Sequence, residues 1–541
     1  MTAPCDLIVT AGRLLTPRAL TTGTAVPGFV AVRDGVIVGV GEETDAAAWA
    51  AQRTIELPGA TLTSGLVDAH IHPVIGVRMA RGLDLSGARS REEARRAIAD
   101  YAAEHSPDGW LLGWGLGPGV LEAGPLDSTL FDGVADGRLV FLTLFDGHSA
   151  LVSKAALATA GVRGDETFPD SSSVGLDDGG RPNGMLYELS AQSLVLGILP
   201  EMTFDEVVDS VEALLKGMAA TGIVAGQMLD LEDERSLDVF AAIEERGDLA
   251  IRVRVSPWLM PGYQDADLDR LVALQGRHGR RWAVRGVKLM IDGTIDNGTA
   301  WLFEPDTLGE STQPLWPDLA EYRRALRHFH DRGIPTTTHA IGDQGISFVA
   351  REIAALGDNG TPHRIEHIET LPDPVLDEIV ASGAAASMQP THCSHYLKAD
   401  QSDNWSRRLG SVRADFAFRI GDLRARGVTV ALGSDWPVAP YDPRGIIASA
   451  IVRRPAGLPG VPPVRLEQAI SAAAAIEGYT SEYWASVGES GGRLVVGDRA
   501  DLTAFGLDPL TTDPDAFAAA PVLLTVVDGE VVIDAAVPVG A

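Results

Sequence analysis

Eight short apolar runs, at 65–72, 222–228, 250–258, 284–291, 335–339, 363–368, 384–389 and 428–434, are separated by segments of helical character. Strands alternating with helices favour a parallel sheet, and eight such units predict an α/β fold, a (β/α)8 TIM-like barrel. The two chain ends differ from this middle. They carry short β-rich runs joined by tight turns, which predict a small β-sandwich domain built from both termini.

At the N-terminal end, Asp6–Thr10, Gly28–Arg33 and Val36–Val40 are strand candidates, the last two joined through Asp34-Gly35, a pair suited to the positive φ of a hairpin turn. At the C-terminal end, Val522–Val527 and Glu530–Ile533 flank Asp528-Gly529 in the same way. Neither end has enough strands to be stable alone, so residues 1–63 and 488–541 are expected to share one domain, with the barrel over 64–487. A ninth run, Arg138–Phe145, spoils an eightfold count unless residues 76–202 are an insertion after the first barrel strand, as their length and Gly/Pro content permit. That segment is expected to form a folded lid or wall. Ser90-x-x-Glu93 inside it and Thr203-x-x-Glu206 after it have capping-box spacing, in which a hydroxyl and a carboxylate satisfy the free amides of a helix start.

Composition narrows the function classes. The hydrophobic fraction is 45% and the charged fraction 22%, ordinary for a folded globular chain. The net charge of −30 repels phosphate backbones and anionic lipid, so nucleic acid and membrane are not expected partners, and a small molecule is. Cys5 and Cys393 cannot form a disulfide framework, and no apolar stretch approaches a membrane span, so a cytoplasmic location is expected.

The chemistry concentrates at strand ends. In Leu66-Val-Asp-Ala-His70-Ile-His72 the two histidines are two apart on a strand, so both imidazoles face one side, towards the barrel interior. His339 ends the fifth strand and His367 the sixth, and barrel active sites gather at that C-terminal face. Four converging imidazoles suit a divalent transition metal. Asp435, in Gly433-Ser-Asp-Trp-Pro437 after the eighth strand, adds a carboxylate to the same mouth. Lys288 lies inside the apolar strand Val287-Lys-Leu-Met-Ile291, where a bare ammonium is costly. Two explanations stand open: a partner such as Asp292, or an amine of lowered pKa that reacts with carbon dioxide to give a carbamate able to bridge two ions. His363, at the entry of the sixth strand, is left out of the site. His105, His278, His328 and His330 fall on helix or loop segments and are expected at the surface.

With these motifs, and with His339-Ala-Ile-Gly-Asp343, Arg364-Ile-Glu-His367, Gln389-Pro390 and Gly497-Asp-Arg-Ala-Asp-Leu502, the chain resembles the amidohydrolase superfamily, in the branch of N-substituted formamide deformylase-like enzymes (amidohydrolase 3), nearly end to end. The resemblance implies that His70 and His72 hold one metal, His339 and His367 another, that a carboxylated Lys288 bridges them, and that Asp435 lies alongside. One or two ions fit this ligand type. Zinc suits the nitrogen and oxygen donors, with manganese, iron or cobalt as alternatives. The resemblance also points to His148 in Asp146-Gly-His148, either as a substrate hydrogen-bond donor or as a packing residue of the lid, and to Glu188 in Gly184-Met-Leu-Tyr-Glu188. Trp114, Trp301 and Trp436 are candidates to line the pocket. Many relatives self-associate, which leaves a homo-oligomer open.

The expected activity is hydrolysis of a carbon–nitrogen bond in an amide, N-formyl or N-acyl small molecule by metal-activated water, with Asp435 carrying the proton and His148 steadying the oxyanion. The rivals are deamination or ester or lactone hydrolysis at the same site, and a non-catalytic barrel scaffold.

Overall fold

A computed structural model describes residues 3–106, 109–121, 124–230 and 234–535. Eight parallel strands form the barrel: Leu66–Ile71, Ile223–Met228, Arg252–Val255, Val287–Met290, Thr336–Ala340, His363–His367, Ala385–Met388 and Val430–Leu432. They fall into two hydrogen-bonded groups, the first three strands and the last five. Two seams close the cylinder. Between the third and fourth strands, Lys288 donates its amide to the Pro257 carbonyl (2.9 Å) and its own carbonyl accepts from Leu259 (3.0 Å). Between the eighth and first, Asp435 N–H reaches His70 O (2.8 Å) and His72 N–H reaches Trp436 O (3.0 Å). Both seams run through residues of the expected site.

The apolar run at 284–291 proves to be two elements. Trp282–Val284 pairs alongside the third strand, the chain turns at Gly286 with φ +91°, and Val287–Met290 enters the barrel. The outer helices bury one stripe against the strands. In Phe204–Ala220 it is Val207, Val208, Val211, Leu215 and Met218, spaced three and four apart as a helix face requires. The capping box of this helix forms, with Thr203 N–H 2.8 Å from Glu206 Oε2.

Strands from both termini form one seven-stranded sheet, in the order Glu530–Asp534, Val522–Val527, Leu502–Phe505, Trp49–Ser64, Ala3–Leu14, Val26–Arg33, Val36–Gly41. Hydrogen bonding makes it continuous, so the two layers expected of a sandwich are the halves of one curled sheet around a core that includes Val9, Val32, Leu502 and Val526. The curl brings the two hairpin turns together: the Gly35 carbonyl accepts from Ala500, whose carbonyl accepts from Gly529. Asp34, Gly35, Asp528 and Gly529 all have φ between +51° and +81°. Residues 1–2 and 536–541 of the expected terminal domain lie outside the described residues. Arg252 ties this sheet to the barrel through Asp501 and Asp528.

Between the first barrel strand and its helix, a second sheet of six strands runs from Leu83–Asp84 to Pro182–Tyr187, with apolar clusters of its own. Ser90 caps its long helix Arg91–Glu104 by accepting from Glu93 N–H (3.3 Å). Cys5 and Cys393 are both free and buried. Among the described residues no helix is long and apolar enough to cross a membrane.

Candidate active site

The strand ends converge as the barrel requires. Ring centroids are 5.1 Å apart for His70 and His72, 4.9 Å for His70 and His367, 4.5 Å for His367 and His339, and 4.9 Å for His339 and His148. Asp435 faces them: its Oδ1 is 3.0 Å from His72 Nε2 and 3.3 Å from His70 Nε2. His70, His367 and Asp435 each offer a ligand atom, all within 4.8 Å of one another. Lys288 lines the same cavity.

Each histidine is oriented by a partner on its far side. His70 Nδ1 lies 2.7 Å from Glu366, His72 Nδ1 3.1 Å from Asp230, and His367 Nδ1 3.0 Å from Gln389 Oε1. In His70 and His72 these contacts leave Nε2 turned towards Asp435, whereas His367 presents Nδ1 to it, at 3.8 Å. His339 is turned the other way, with Nε2 3.1 Å from the Gly293 carbonyl, which leaves Nδ1. Such outer partners fix ring orientation and tautomer in metal sites.

The electrostatics match a cation. Burial holds His70, His339 and His367 well below the usual histidine range, which favours neutral imidazoles of the kind a metal can bind. Burial opposes charge on His72 as well, but its hydrogen bonds to the Asp230 and Asp435 carboxylates outweigh it and push this ring up to about 9. Burial tends to raise Asp435, and its bond to His72 outweighs this and holds it below the ordinary carboxylate value. Burial lowers Lys288 to about 8, against the opposing pull of Glu366 and Asp435, so an appreciable share of its amine is neutral near pH 7. Asp292 is not its partner. That carboxylate accepts the backbone amides of Trp301 (2.9 Å), Ile341 (3.1 Å) and Gly342 (2.8 Å).

Three site residues have left-handed backbone: Asp435 (φ +60°), His367 (φ +71°) and Glu188 (φ +63°). Non-glycine residues held there cost of order 1–3 kcal/mol each and cluster where function over-determines them. At His367 the reason is visible. Glu366 already points inward to His70, and the turn brings the adjacent His367 into the same mouth.

His148 and Glu188 come from the inserted sheet, with His148 Nδ1 2.8 Å from Glu188 Oε2. Burial opposes charge on His148, and Glu188 and Asp146 overcome it, pushing the ring up to about 9. The three tryptophans named as pocket candidates have these surroundings. Trp301 packs on Phe348 (5.5 Å), Trp436 lies over Gly76 and beside Tyr441 (6.4 Å), and Trp114 sits in the inserted sheet, while Trp258 and Trp405 stand in the cavity walls. His330 is corrected: at the end of its helix it is buried and bonded to His363 (2.9 Å).

Asp230, Glu366, Gln389 and His392 are further site residues. Asp230 follows an apolar strand as Asp435 does, and the same pattern singles it out. Glu366 and Gln389 stand within motifs already quoted. His392, from the helix Pro390–Tyr396, stacks parallel to His367 at 6.2 Å and leaves its buried Nε2 without a hydrogen-bond partner.

The profile of the amidohydrolase family matches residues 53–533. The Bacillus subtilis protein YtcJ is 27% identical over 93% of this chain and 96% of its own length. The N-substituted formamide deformylase of Arthrobacter pascens is 23% identical over 92% of this chain and 94% of its own. Among solved structures, an uncharacterized metal-dependent hydrolase from Pyrococcus horikoshii superposes with a TM-score of 0.70 at 21% identity, covering 94% of this chain and 99% of that one. A barrel of this topology, with its histidines and aspartate at one mouth, and a match running through both sheets and the insertion make this chain an enzyme of the amidohydrolase family.

Proposed function

We propose that the protein is a metal-dependent hydrolase of small amides, cleaving the carbon–nitrogen bond of an N-formyl or N-acyl amine. The observation that carries this is the meeting of four histidines and Asp435, most of them backed by a buried orienting group. The donor set fits a divalent cation, with zinc favoured by imidazole and carboxylate ligands. His70, His72, His339, His367 and Asp435 would hold one or two such ions, with Lys288, carboxylated, as a further ligand. When bound, the metal supplies Lewis acidity and makes a water nucleophile available near neutral pH.

The side chains supply the rest. Asp435, held ionised, accepts the proton of the attacking water and returns it to the departing amine, without which nitrogen is a poor leaving group. Cationic His148, fixed by Glu188, donates towards the carbonyl oxygen as negative charge develops there. Phe145, Asp146, His148 and Leu189 of the inserted segment form one wall of the mouth. The deformylase relative acts, by its name, on N-substituted formamides, which favours small N-formyl amines as first substrates.

The test is a panel of N-formyl amines, N-acyl amines, ring amines, esters and lactones, assayed with metal content measured on the same preparation. Release of amine and carboxylic acid, abolished by a chelator and restored by zinc or manganese, is the expected result. Protein that binds no divalent metal, or that hydrolyses only esters or ring amines, refutes it.

A further inference from the structure

The cavity on the Lys288 side of the mouth is small, about 70 Å³, space for a handful of waters or a formyl-sized group. It does not end there. Ile75, Met79, Gly147 and Leu189 line it and also line a second, much larger cleft of about 680 Å³ between the inserted sheet and the outer helices of the barrel. That volume is in the range of small-molecule sites.

Arg78, Arg81, Glu201 and Arg235 line part of this cleft, and much of the rest of its wall is apolar. Leu112 and Phe141 come from the insertion, and Leu196 and Phe204 stand 42% and 47% exposed in it. Phe204 is the odd residue. It is the first residue of its helix, directly after the Thr203 cap, and the helix buries its core stripe from Val207 onward, so packing does not call for an aromatic ring there. An exposed apolar wall that continues from a reactive cavity is explained by a ligand that covers it.

We propose that this cleft holds the apolar body of the substrate, an alkyl or aryl group on one side of the scissile bond, while the amide reaches past Met79 and Leu189 to the histidines. The inference rests on the hydrolase reading for the amide and on the cleft geometry for the apolar body. Each methylene moved from water onto such a wall is worth about fourfold in affinity or kcat/KM.

The experiment compares N-methylformamide with N-octylformamide, whose chain is on the amine, and with N-methyloctanamide, whose chain is on the acyl group. One of the two long substrates should exceed N-methylformamide in kcat/KM by at least about a hundredfold, and which one does assigns the cleft to the amine or the acyl side. Phe204→Asp should cut that ratio about tenfold or more, while Phe204→Leu keeps most of it. Aspartate is favoured in the first turn of a helix, so this variant should fold. Calorimetric binding of both long compounds is measured alongside. If no amide is hydrolysed yet one long compound binds and Phe204→Asp weakens it, the hydrolase reading fails and the cleft stands. If amides are hydrolysed with no chain preference, or Phe204→Asp leaves the ratio unchanged, the cleft inference is overturned and the hydrolase reading survives.

Discussion

Glu366 joins His70 to Arg364: one carboxylate oxygen is 2.7 Å from His70 Nδ1 and the other 2.6 Å from the Arg364 Nε, all three side chains buried. The guanidinium in turn donates to Ala69 O (2.9 Å), so the orientation of His70 is set from the barrel floor. Glu366→Gln replaces the acceptor charge and should weaken metal binding by about 10- to 100-fold with the fold intact. Competition against a chelator of known affinity measures it.

Asp435 sits 3.0 Å from His72 and 3.3 Å from His70, and its proposed task is proton transfer. Asp435→Asn keeps the size and most contacts of the side chain but cannot take a proton. Turnover should fall by roughly 10²- to 10⁴-fold, with folding and metal content close to those of the parent. Retained turnover would remove the proton-transfer role.

Gly433 lies against the first strand: a Cβ there would come 2.8 Å from both Asp68 Oδ1 and His70 N. Neither atom is the flexible end of a long side chain. Gly433→Ala should therefore cost about 1–3 kcal/mol and displace His70, lowering the melting temperature and metal content together.

Carboxylation of Lys288 has a direct readout. Protein prepared with ¹³C-bicarbonate should give a carbamate carbon resonance that Lys288→Met lacks. Its absence in active parent protein would leave the free amine as the working form.

His363, outside the site, controls part of the acid sensitivity. Burial, and then the neighbouring His330, lowers its pKa to about 4 from an ordinary 6.5. The unfolded chain binds the extra proton between those values, so stability is full above pH 6.5 and lost as pH falls towards 4, by about 3 kcal/mol in all. In His363→Asn the loss between pH 7 and pH 5 should be smaller than in the parent, as followed by denaturant unfolding.

Much of this was legible from residues alone, for physical reasons. Apolar runs ending in a polar side chain marked the eight strands, and period-two alternation placed His70 and His72 on one face. The same alternation would send Glu366 and His367 to opposite sides, and only the left-handed turn at His367 brings both to the mouth. The six-stranded inserted sheet was visible only as one run near 140, because its short strands lack regular alternation. The surroundings of Trp301 and Trp436 follow from packing across distant segments, which spacing does not encode.

The seam between the first and eighth strands has a consequence for biogenesis. Ser434 N–H binds Asp68 across 366 residues of sequence, next to the bonds that pair Asp435 with His70 and His72 with Trp436. A nascent chain emerging from the ribosome therefore carries every proposed site group except Asp435 before the last barrel strand is made. Polypeptides halted before the last barrel strand lack both Asp435 and the seam that fixes His70, and should be inert and poorly retentive of metal.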